Sequence, residues 1–378
     1  MKQICFVLIL ITVFSSGCNQ NLTDEFPATF EQTYSVTGNQ EANRIIALSD
    51  GILICGTSTV GSTKQAFLIK TDFGGNQIWK RDYEIGTEGF GIKFTADNSF
   101  VLVGSFLTIP QSKNLLMMKL DLNGIMLWQR TFGGNLSDTG RDIIELENGG
   151  YMLIGTTQSF GAGSASMYVV KTDSEGNEDW SRTFGGSGLD GGSELVQTSS
   201  FEVALLGFTN SFGAGDRDIY LQTVSTGGDS LASFTIGGNG YEESQAISKT
   251  SDGGFIMSNH SASLEPQHSV LATKLNSNFQ RDWEVEFGTN SAHEGGEGVF
   301  ADSEGNFIFV GRTNSFGNDE QVYIIKTTST GEVMEELNYG EAGDQRGNDI
   351  VEHNGSYYIV GNSTVNGDSD VLLIKRPI

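Results

Sequence analysis

Short apolar runs separated by polar, glycine-rich turns recur along the chain. In the stretch that begins at Asp138, four runs of strand length follow one another, with turns rich in Gly, Asn and Asp between them. Such a pattern predicts short antiparallel strands joined by hairpins. The two middle runs, 151–155 and 167–171, are almost unbroken in apolar residues. This is typical of strands that are covered on both faces.

The same unit of four runs is repeated along the chain. Each unit closes on an aromatic or branched residue, and successive closing residues lie 49 to 52 positions apart. The closing residues are Tyr34, Tyr83, Phe132, Phe184, Ile236, Phe287 and Tyr339. A tryptophan stands four positions earlier in four units, Phe30 takes that place in the first, and Ala232 and Glu335 are exceptions. A period near fifty residues predicts a propeller or another repeat array.

The two ends of the chain indicate how such an array closes. The last unit stops after its third strand, near residue 378, whereas residues 30–34 form a spare fourth strand ahead of the first unit. We predict that residues 30–35 complete the last blade, because this pairing hides two otherwise exposed sheet edges. The expected fold is all-β: a seven-bladed β-propeller of four-stranded antiparallel blades over residues 30–378, closed by the N-terminal strand.

The N-terminus has the pattern of a targeting segment. Lys2 precedes an apolar run of eleven residues, 4–14, which is too short to span a bilayer. Small residues and Cys18 follow, and the segment resembles a bacterial lipoprotein signal. The resemblance implies a signal peptide over residues 1–17, a lipidated Cys18, and a tether over residues 18–29 that holds the protein at the outer membrane or cell surface. Ser15 departs from the motif, and simple secretion with cleavage after Ser16 is the alternative.

Composition narrows the classes of partner. The formal net charge is −25, which argues against a nucleic-acid partner because phosphate binding needs clustered Lys and Arg. An acidic surface keeps a secreted protein soluble, and we expect a monomer. Cys55 has no disulfide partner once Cys5 and Cys18 are set aside. Its apolar surroundings predict a buried thiol.

Three segments of the third unit carry a family resemblance. They are 150–156 (GYMLIGT), 170–173 with 176–177, and 180–186 (WSRTFGG). They resemble the β-propeller repeats of lipoproteins and secreted surface proteins of bacteria and archaea, and the resemblance covers residues 30–378. It implies the fold and an extracytoplasmic location, and it carries no catalytic residues. Kelch, WD and sialidase-type repeats fit the spacing of the glycines and aspartates less well.

An acidic residue stands just ahead of the first strand of each unit. These residues are Glu41, Glu88, Asp138, Asp190, Glu242, Glu294 and Asp344. First strands line the channel of a propeller, so the carboxylates are candidates for one channel mouth, where converging oxygens could hold Ca²⁺. No other cofactor is expected. The alternative, favoured by the sevenfold repetition, is that each carboxylate accepts hydrogen bonds from turn amides beside a glycine such as Gly140 or Gly192.

Other candidate features lie in loops. The motif Ser-Phe-Gly places aromatic residues on one rim, at Phe160, Phe212 and Phe316. These rings could contact sugars or a partner, or pin their own loops. The turns that begin at Asp72, Asp121 and Asp173 lack the ligand alternation of a calcium loop, and we predict hairpin turns there. No two histidines have the spacing of a metal site.

A binding or scaffold module for a protein or glycan partner is the function class that these features favour. The alternative is an enzyme that acts on polysaccharide or peptide at the channel mouth. An enzyme needs a cluster of non-repeated polar residues facing the channel, and the repeat pattern shows none. We expect function where the repeat breaks: at Ala232, at Glu335, and in the irregular unit around His260.

Overall fold

The computed structural model describes residues 29–35, 38–109, 112–147, 149–262, 268–289, 292–317, 319–340, 343–365 and 367–378. The predicted signal peptide (residues 1–17), Cys18 and the tether up to residue 28 lie outside these ranges. The described residues form strands and no helix. None of the described segments is therefore a helix able to cross a membrane.

The strands form seven four-stranded antiparallel sheets, and each sheet is one blade. The chain begins with β1 (Phe30–Tyr34), which belongs to the last blade. Blade 1 contains β2 (Asn39–Leu48), β3 (Gly51–Val60), β4 (Thr63–Thr71) and β5 (Gln77–Ile85). Blade 2 contains β6 (Thr87–Thr95), β7 (Ser99–Ile109), β8 (Ser112–Leu120) and β9 (Met126–Phe132). Blade 3 contains β10 (Asp138–Glu145), β11 (Tyr151–Thr157), β12 (Ser166–Thr172) and β13 (Glu178–Phe184).

The remaining blades continue this order from the channel outward. Blade 4 contains β14 (Asp190–Ser199), β15 (Glu202–Thr209), β16 (Asp218–Ser225) and β17 (Ser230–Ile236). Blade 5 contains β18 (Glu242–Lys249), β19 (Phe255–Ser261), β20 (Ser269–Leu275) and β21 (Arg281–Phe287). Blade 6 contains β22 (Glu294–Ala301), β23 (Phe307–Thr313), β24 (Gln321–Thr327) and β25 (Val333–Tyr339). Blade 7 contains β26 (Asp344–His353), β27 (Ser356–Val365), β28 (Asp368–Pro377) and β1.

The predicted ring closure is confirmed. Strand β1 pairs antiparallel with β28, with Phe30 opposite Lys375 and Tyr34 opposite Val371. The hydroxyl of Tyr34 also donates a hydrogen bond of 2.7 Å to the carbonyl of Gly75 in blade 1. Both ends of the propeller chain therefore lie in one sheet, and that sheet is joined to the first blade.

The hydrophobic core lies between the blades. Seven clusters of buried side chains are present, and each draws its residues from two adjacent blades. This explains the unbroken apolar runs of the middle strands, because both faces of each blade are covered. Cys55 belongs to the cluster between blades 1 and 2 and is fully buried. Burial raises the pKa of its thiol to about 12.

The repeated tryptophan packs on a glycine of the next blade. That glycine lies in the turn between the third and fourth strands and has a positive φ. A Cβ atom built on it would lie 2.6 to 3.1 Å from the indole ring. The pairs are Trp79 with Gly124, Trp128 with Gly176, Trp180 with Gly228, and Trp283 with Gly331. Phe30 of β1 contacts Gly75 in the same way. This contact explains why both the aromatic residue of the fourth strand and the turn glycine recur in the repeat.

The two exceptions to the tryptophan pattern have packing explanations. Opposite Ala232, the turn glycine is replaced by Phe279, which is buried and has a φ of 60°. The ring of Phe279 stacks on Phe255 at 4.9 Å between centroids and lies 6.0 Å from Phe234. Opposite Glu335 there is no turn, because β28 and β1 come from opposite ends of the chain, and Glu335 pairs with Arg376 at 3.0 Å.

The predicted hairpin turns are also confirmed. In each, an aspartate carboxylate accepts hydrogen bonds from amides of its own turn, as Asp173 does from the backbone of Glu175 and Asn177 at 2.9 Å. Gly176 in the same turn has a φ of 78°. The carboxylates of these turns therefore serve the local backbone.

Candidate functional site: the central channel

Every first strand contains a β-bulge at the same point. One residue in each is skipped in the pairing with the second strand, and we call these seven the bulge residues. They are Asn43, Phe90, Arg141, Ser193, Gln245, Glu297 and Asn348. A bulge bends its strand and re-aims a side chain. All seven line one cavity at the centre of the ring.

The cavity has a volume of about 770 Å³. This lies within the range of about 300 to 1,000 Å³ that is usual for small-ligand sites. Besides the bulge residues, its walls include the start of β2 and the ends of second strands, for example Thr156, Phe208 and Asn362. Among the described residues of β2, none beyond Arg44 lines it.

An ion pair crosses the channel at the level of Arg44. Its Nη1 lies 2.5 Å from Oε1 of Glu194 in blade 4 and 3.9 Å from Oδ1 of Asp349 in blade 7. Burial alone would lower the pKa of Arg44, but the charges of these carboxylates outweigh it and raise that pKa. Glu194 and Asp349 also accept hydrogen bonds from the amides of Ile247 (2.7 Å) and Ile45 (3.0 Å). The cavity therefore has a fixed, charged end.

Three bulge residues join neighbouring blades. Asn43 donates a hydrogen bond of 2.7 Å to the carbonyl of Gly89, the residue before the next bulge. Ser193 donates to Ser244 at 3.0 Å, and Asn348 donates to Ala42 at 2.7 Å, in the same relation. For these three, a structural role explains the residue type.

The other four bulge residues do not make this bond. They are Phe90, Arg141, Gln245 and Glu297. The guanidinium of Arg141 lies over the ring of Phe90, 4.6 Å from its centroid. Within the described part of the chain, the side chains of Arg141 and Gln245 make no hydrogen bond or ion pair with the protein. Side chains that face a cavity with unused polar groups are candidates for ligand binding.

Glu297 stands in a cationic environment. Its Oε1 lies 3.3 Å from Nε2 of His260 and 3.6 Å from Nη1 of Arg312. Burial would raise the pKa of Glu297, but the contact with His260 and the charges of His260, Arg312 and Arg346 hold it below its ordinary value. Glu297 is therefore an ionised hydrogen-bond acceptor at neutral pH. His260, in the irregular blade, supports it from the second strand.

The carboxylates predicted at the channel mouth do not form one ring. The position three residues before each bulge residue holds a buried side chain. The residues at this position are Gln40, Thr87, Asp138, Asp190, Glu242, Glu294 and Gln345. Only four of the predicted acids occupy this position. Glu41 and Glu88 lie one residue later in their strands, and Asp344 lies one residue earlier. Of the seven, only Glu41 is among the described residues that line the cavity.

The four acids in register hold turns and loops. Asp138 Oδ2 accepts hydrogen bonds from the amide of Gly134 at 2.7 Å and the hydroxyl of Ser159 at 2.8 Å. Asp190 repeats this with Gly186 and Ser211, Glu294 contacts Thr289 and Ser315, and Glu242 contacts Gly238. The amides come from the turn between blades, not from Gly140 or Gly192.

Of the three acids out of register, Glu41 lines the cavity, and the other two, Glu88 and Asp344, have separate environments. Glu88 is paired with Lys64 at 2.6 Å and with Lys113 at 2.5 Å. Asp344 is exposed and accepts a hydrogen bond of 3.0 Å from the amide of Glu320. Among the residues that the structure describes, no group of three or more His, Cys, Asp or Glu side chains has the geometry to hold a metal ion.

The rim aromatics are half exposed. Phe160 lies 5.7 Å from Tyr168 of its own blade, and Phe212 lies 5.9 Å from Tyr220, measured between ring centroids. Phe316 is exposed to 53%. The serine of the same motif is the residue that binds the acid at the start of the blade. The serine of the Ser-Phe-Gly motif thus holds its loop against the first strand, and none of the three phenylalanine rings lines the cavity.

The bulge residues were not among the predicted site residues, although the sequence contains a signal for them. The residue before each bulge is small: Ala42, Gly89, Gly140, Gly192, Ser244, Gly296 and Gly347. At Gly140, a Cβ atom would lie 2.5 Å from Val103 of the preceding blade, so the neighbouring blade demands this small residue. When the seven units are superimposed on this small residue, the position that follows it holds six different residue types, with Asn in two units.

Comparison with known proteins supports the fold. No protein-family model matches the chain, and no curated protein matches it. Among solved structures, YCF48 bound to D1 peptide matches with a TM-score of 0.54 at 13% identity, over 94% of this chain and 96% of that chain. Puromycin hydrolase matches with a TM-score of 0.55 at 12% identity, over 88% of this chain but only 51% of that chain. The likeness is one of fold alone.

Proposed function

We propose that this protein is a lipid-anchored, extracytoplasmic binding module that receives part of a protein or glycan partner in its central cavity. One observation carries the proposal: within a symmetric ring, four bulge residues are chemically different and do not repeat the hydrogen bond from the bulge side chain to a backbone carbonyl of the next blade. A purely structural channel would repeat Asn or Ser at the bulge, as blades 1, 4 and 7 do. The repeat pattern alone suggested a symmetric mouth, whereas the cavity is asymmetric. This asymmetry meets the condition stated above for an enzyme, so the choice between binding and catalysis depends on the chemistry of the cavity residues.

Binding fits the cavity better than catalysis does. The pKa of Glu297 is held below its ordinary value, so this carboxylate accepts hydrogen bonds and is a poor general acid at neutral pH. Ser193, a hydroxyl in the cavity wall, donates a hydrogen bond to the carbonyl of Ser244. Among the residues that the structure describes, no base is hydrogen-bonded to this hydroxyl, and an activated nucleophile requires such a base. The described cavity residues therefore offer hydrogen bonds and charge for recognition.

A cavity-filling substitution tests the binding site. We expect Gln245→Trp to abolish ligand capture, because the indole would occupy the cavity while no hydrogen bond between Gln245 and the protein is lost. The measurement is binding to an array of short peptides and oligosaccharides by protein that lacks residues 1–18. Gln77→Trp is the matched control, since Gln77 is exposed on the outermost strand β5. Equal binding profiles for both variants and the unmodified protein would refute the cavity as the site.

The membrane anchor is tested at Cys18. We expect Cys18→Ser to move the protein from the membrane fraction to the soluble fraction, because stable anchoring needs buried acyl chains. Intact mass spectrometry of the unmodified protein should show a diacylglycerol on an N-terminal Cys18. An unmodified N-terminus that begins before or after Cys18 would instead support ordinary secretion.

A further inference from the structure

We propose that Arg141 is the anchor for a carboxylate, and that the ligand group in the cavity is the carboxyl terminus of a peptide. This inference rests on the proposed binding function and specifies the chemistry of the same site. It starts from charge pairing inside the cavity. Arg44 has Glu194 at 2.5 Å, and Arg346 has Glu320 at 3.9 Å. Arg141 has no acidic partner among the described residues.

The position of Arg141 leaves its charge available to a ligand. Its side chain is exposed, and it lines the central cavity. The surrounding blades still reduce its hydration and lower the pKa of Arg141, and the more distant charges of Glu243, Glu88 and Glu41 offset this only in part. An arginine stays protonated even so. The site therefore holds a cation that lines the cavity without a close acidic partner among the described residues, and an incoming anion would neutralise it.

The geometry around Arg141 suits a planar anion. A guanidinium presents parallel N–H donors that match the two oxygens of a carboxylate. The ring of Phe90 lies against the guanidinium at 4.6 Å and restrains its plane. Stacking of this kind leaves the edge of the guanidinium free for in-plane hydrogen bonds. Arg141 is thus oriented before any ligand arrives.

The opposite wall supplies acceptors. Glu297 comes from blade 6, three blades from Arg141 and so across a ring of seven, and Gln245 comes from blade 5. Both line the same cavity as Arg141. A ligand with a carboxylate at one point and an N–H donor a few atoms away would contact both walls. The last residues of a peptide carry that pattern.

Two further features favour a peptide end over an acidic sugar. The Arg44–Glu194 pair crosses the channel, so the cavity accepts a chain end more readily than the middle of a polymer. Sugar sites usually present an open aromatic face. Here Arg141 covers Phe90, while Phe208 lies under Arg217 at 4.1 Å and its ring edge lies close to Gly191.

The test compares two ligand sets on three proteins. Pooled N-acetyl tripeptides are prepared once as free acids and once as C-terminal amides, and binding is measured by ligand-observed NMR and calorimetry on protein lacking residues 1–18. We expect the acids to bind at least about 10-fold more tightly than the amides, because a bidentate pair between a guanidinium and a carboxylate is roughly twice as strong as a neutral hydrogen bond. Arg141→Gln should lose that preference. Arg182→Gln is the matched control, because Arg182 stacks on Trp180 at the outside of the same blade.

The outcomes separate this inference from the proposed function. Equal binding of acids and amides, or retained preference in Arg141→Gln, overturns the inference while leaving the cavity as a binding site. Binding of a galacturonic acid trimer in place of the peptide acids overturns the peptide assignment. Absence of binding by every acid also overturns it, and the Gln245→Trp array then decides the proposed function separately. Folding is controlled by the melting temperature of Arg141→Gln, which should change little, because substitutions of exposed side chains usually alter stability by at most about 0.5 kcal/mol.

Discussion

A variant that begins at residue 38 should melt at least about 7 °C below a variant that begins at residue 29, since it loses the strand that closes the ring. Both variants lack the N-terminal segment, so their difference isolates β1. The measurement is thermal unfolding followed by circular dichroism or calorimetry. Equal melting temperatures would contradict the role of β1 in stability.

The expected loss has two sources. Tyr34 is buried between the last and first blades, with Phe30 packed against the same cluster. Removal of one such aromatic side chain costs about 3 to 5 kcal/mol of unfolding free energy. The backbone pairing from Phe30 to Tyr34 against β28 is lost as well, and each hydrogen bond of a ladder contributes about 1 kcal/mol. A total loss of at least about 5 kcal/mol follows.

Adding the missing strand back as a peptide tests whether the loss of stability comes from strand pairing. Without β1, the edge of β28 is open, and open edges promote association between chains. We expect the shortened variant to aggregate, and a synthetic peptide of residues 29–37 to restore its melting temperature in part. Tyr34→Phe, which removes only the hydrogen bond to Gly75, should cost about 1 kcal/mol.

Phe279→Gly and Ala232→Trp should each destabilise the protein alone and compensate when combined. Phe279→Gly removes a buried ring that contacts Phe255 and Phe234, at a cost of about 3 to 5 kcal/mol. Relief of its left-handed backbone at φ 60° returns about 1 kcal/mol. Ala232→Trp inserts an indole where Phe279 already lies, and overpacking costs about 1 to 3 kcal/mol.

The double variant recreates the contact between tryptophan and glycine found in other blades. We therefore expect it to be about 2 kcal/mol more stable than the sum of the single effects predicts. Chemical unfolding of the four proteins gives this coupling. The control combines Phe279→Gly with Trp128→Ala in blade 2, where the two effects should add. Additivity of the first pair would refute the proposed exchange of partners.

Much of the fold was predictable from local patterns. The strand count per blade, the closure by residues 30–35 and the turn glycines follow from apolar runs, an unfinished last unit and turn chemistry. These features depend on residues close in sequence or repeated at a fixed interval. The compensation of Ala232 by Phe279 was not predictable, because Phe279 lies 47 positions further along the chain and packs against the strand of Ala232, at Phe234, only when blades 4 and 5 come together.

The sequence described the channel residues less well than the fold. It pointed to seven acids as candidates for the channel mouth, but most of them are buried in turn contacts, and of the seven only Glu41 is among the described residues that line the cavity. The error came from aligning acids that differ by one position between units. In a strand, a shift of one residue turns a side chain to the opposite face, and a bulge adds a further shift.

The sequence by itself determined the repeat, the number of blades and the closed ring, because these depend on apolar periodicity and on the unpaired ends of the chain. Only the tertiary structure decided which side chains share the channel. Phe90, Arg141, Gln245 and Glu297 belong to different blades. They come together because seven bulges turn one residue of each first strand toward the ring centre. Only the assembled ring also shows that Arg141 lacks an acidic partner among the described residues, because the distances between blades decide which charges pair.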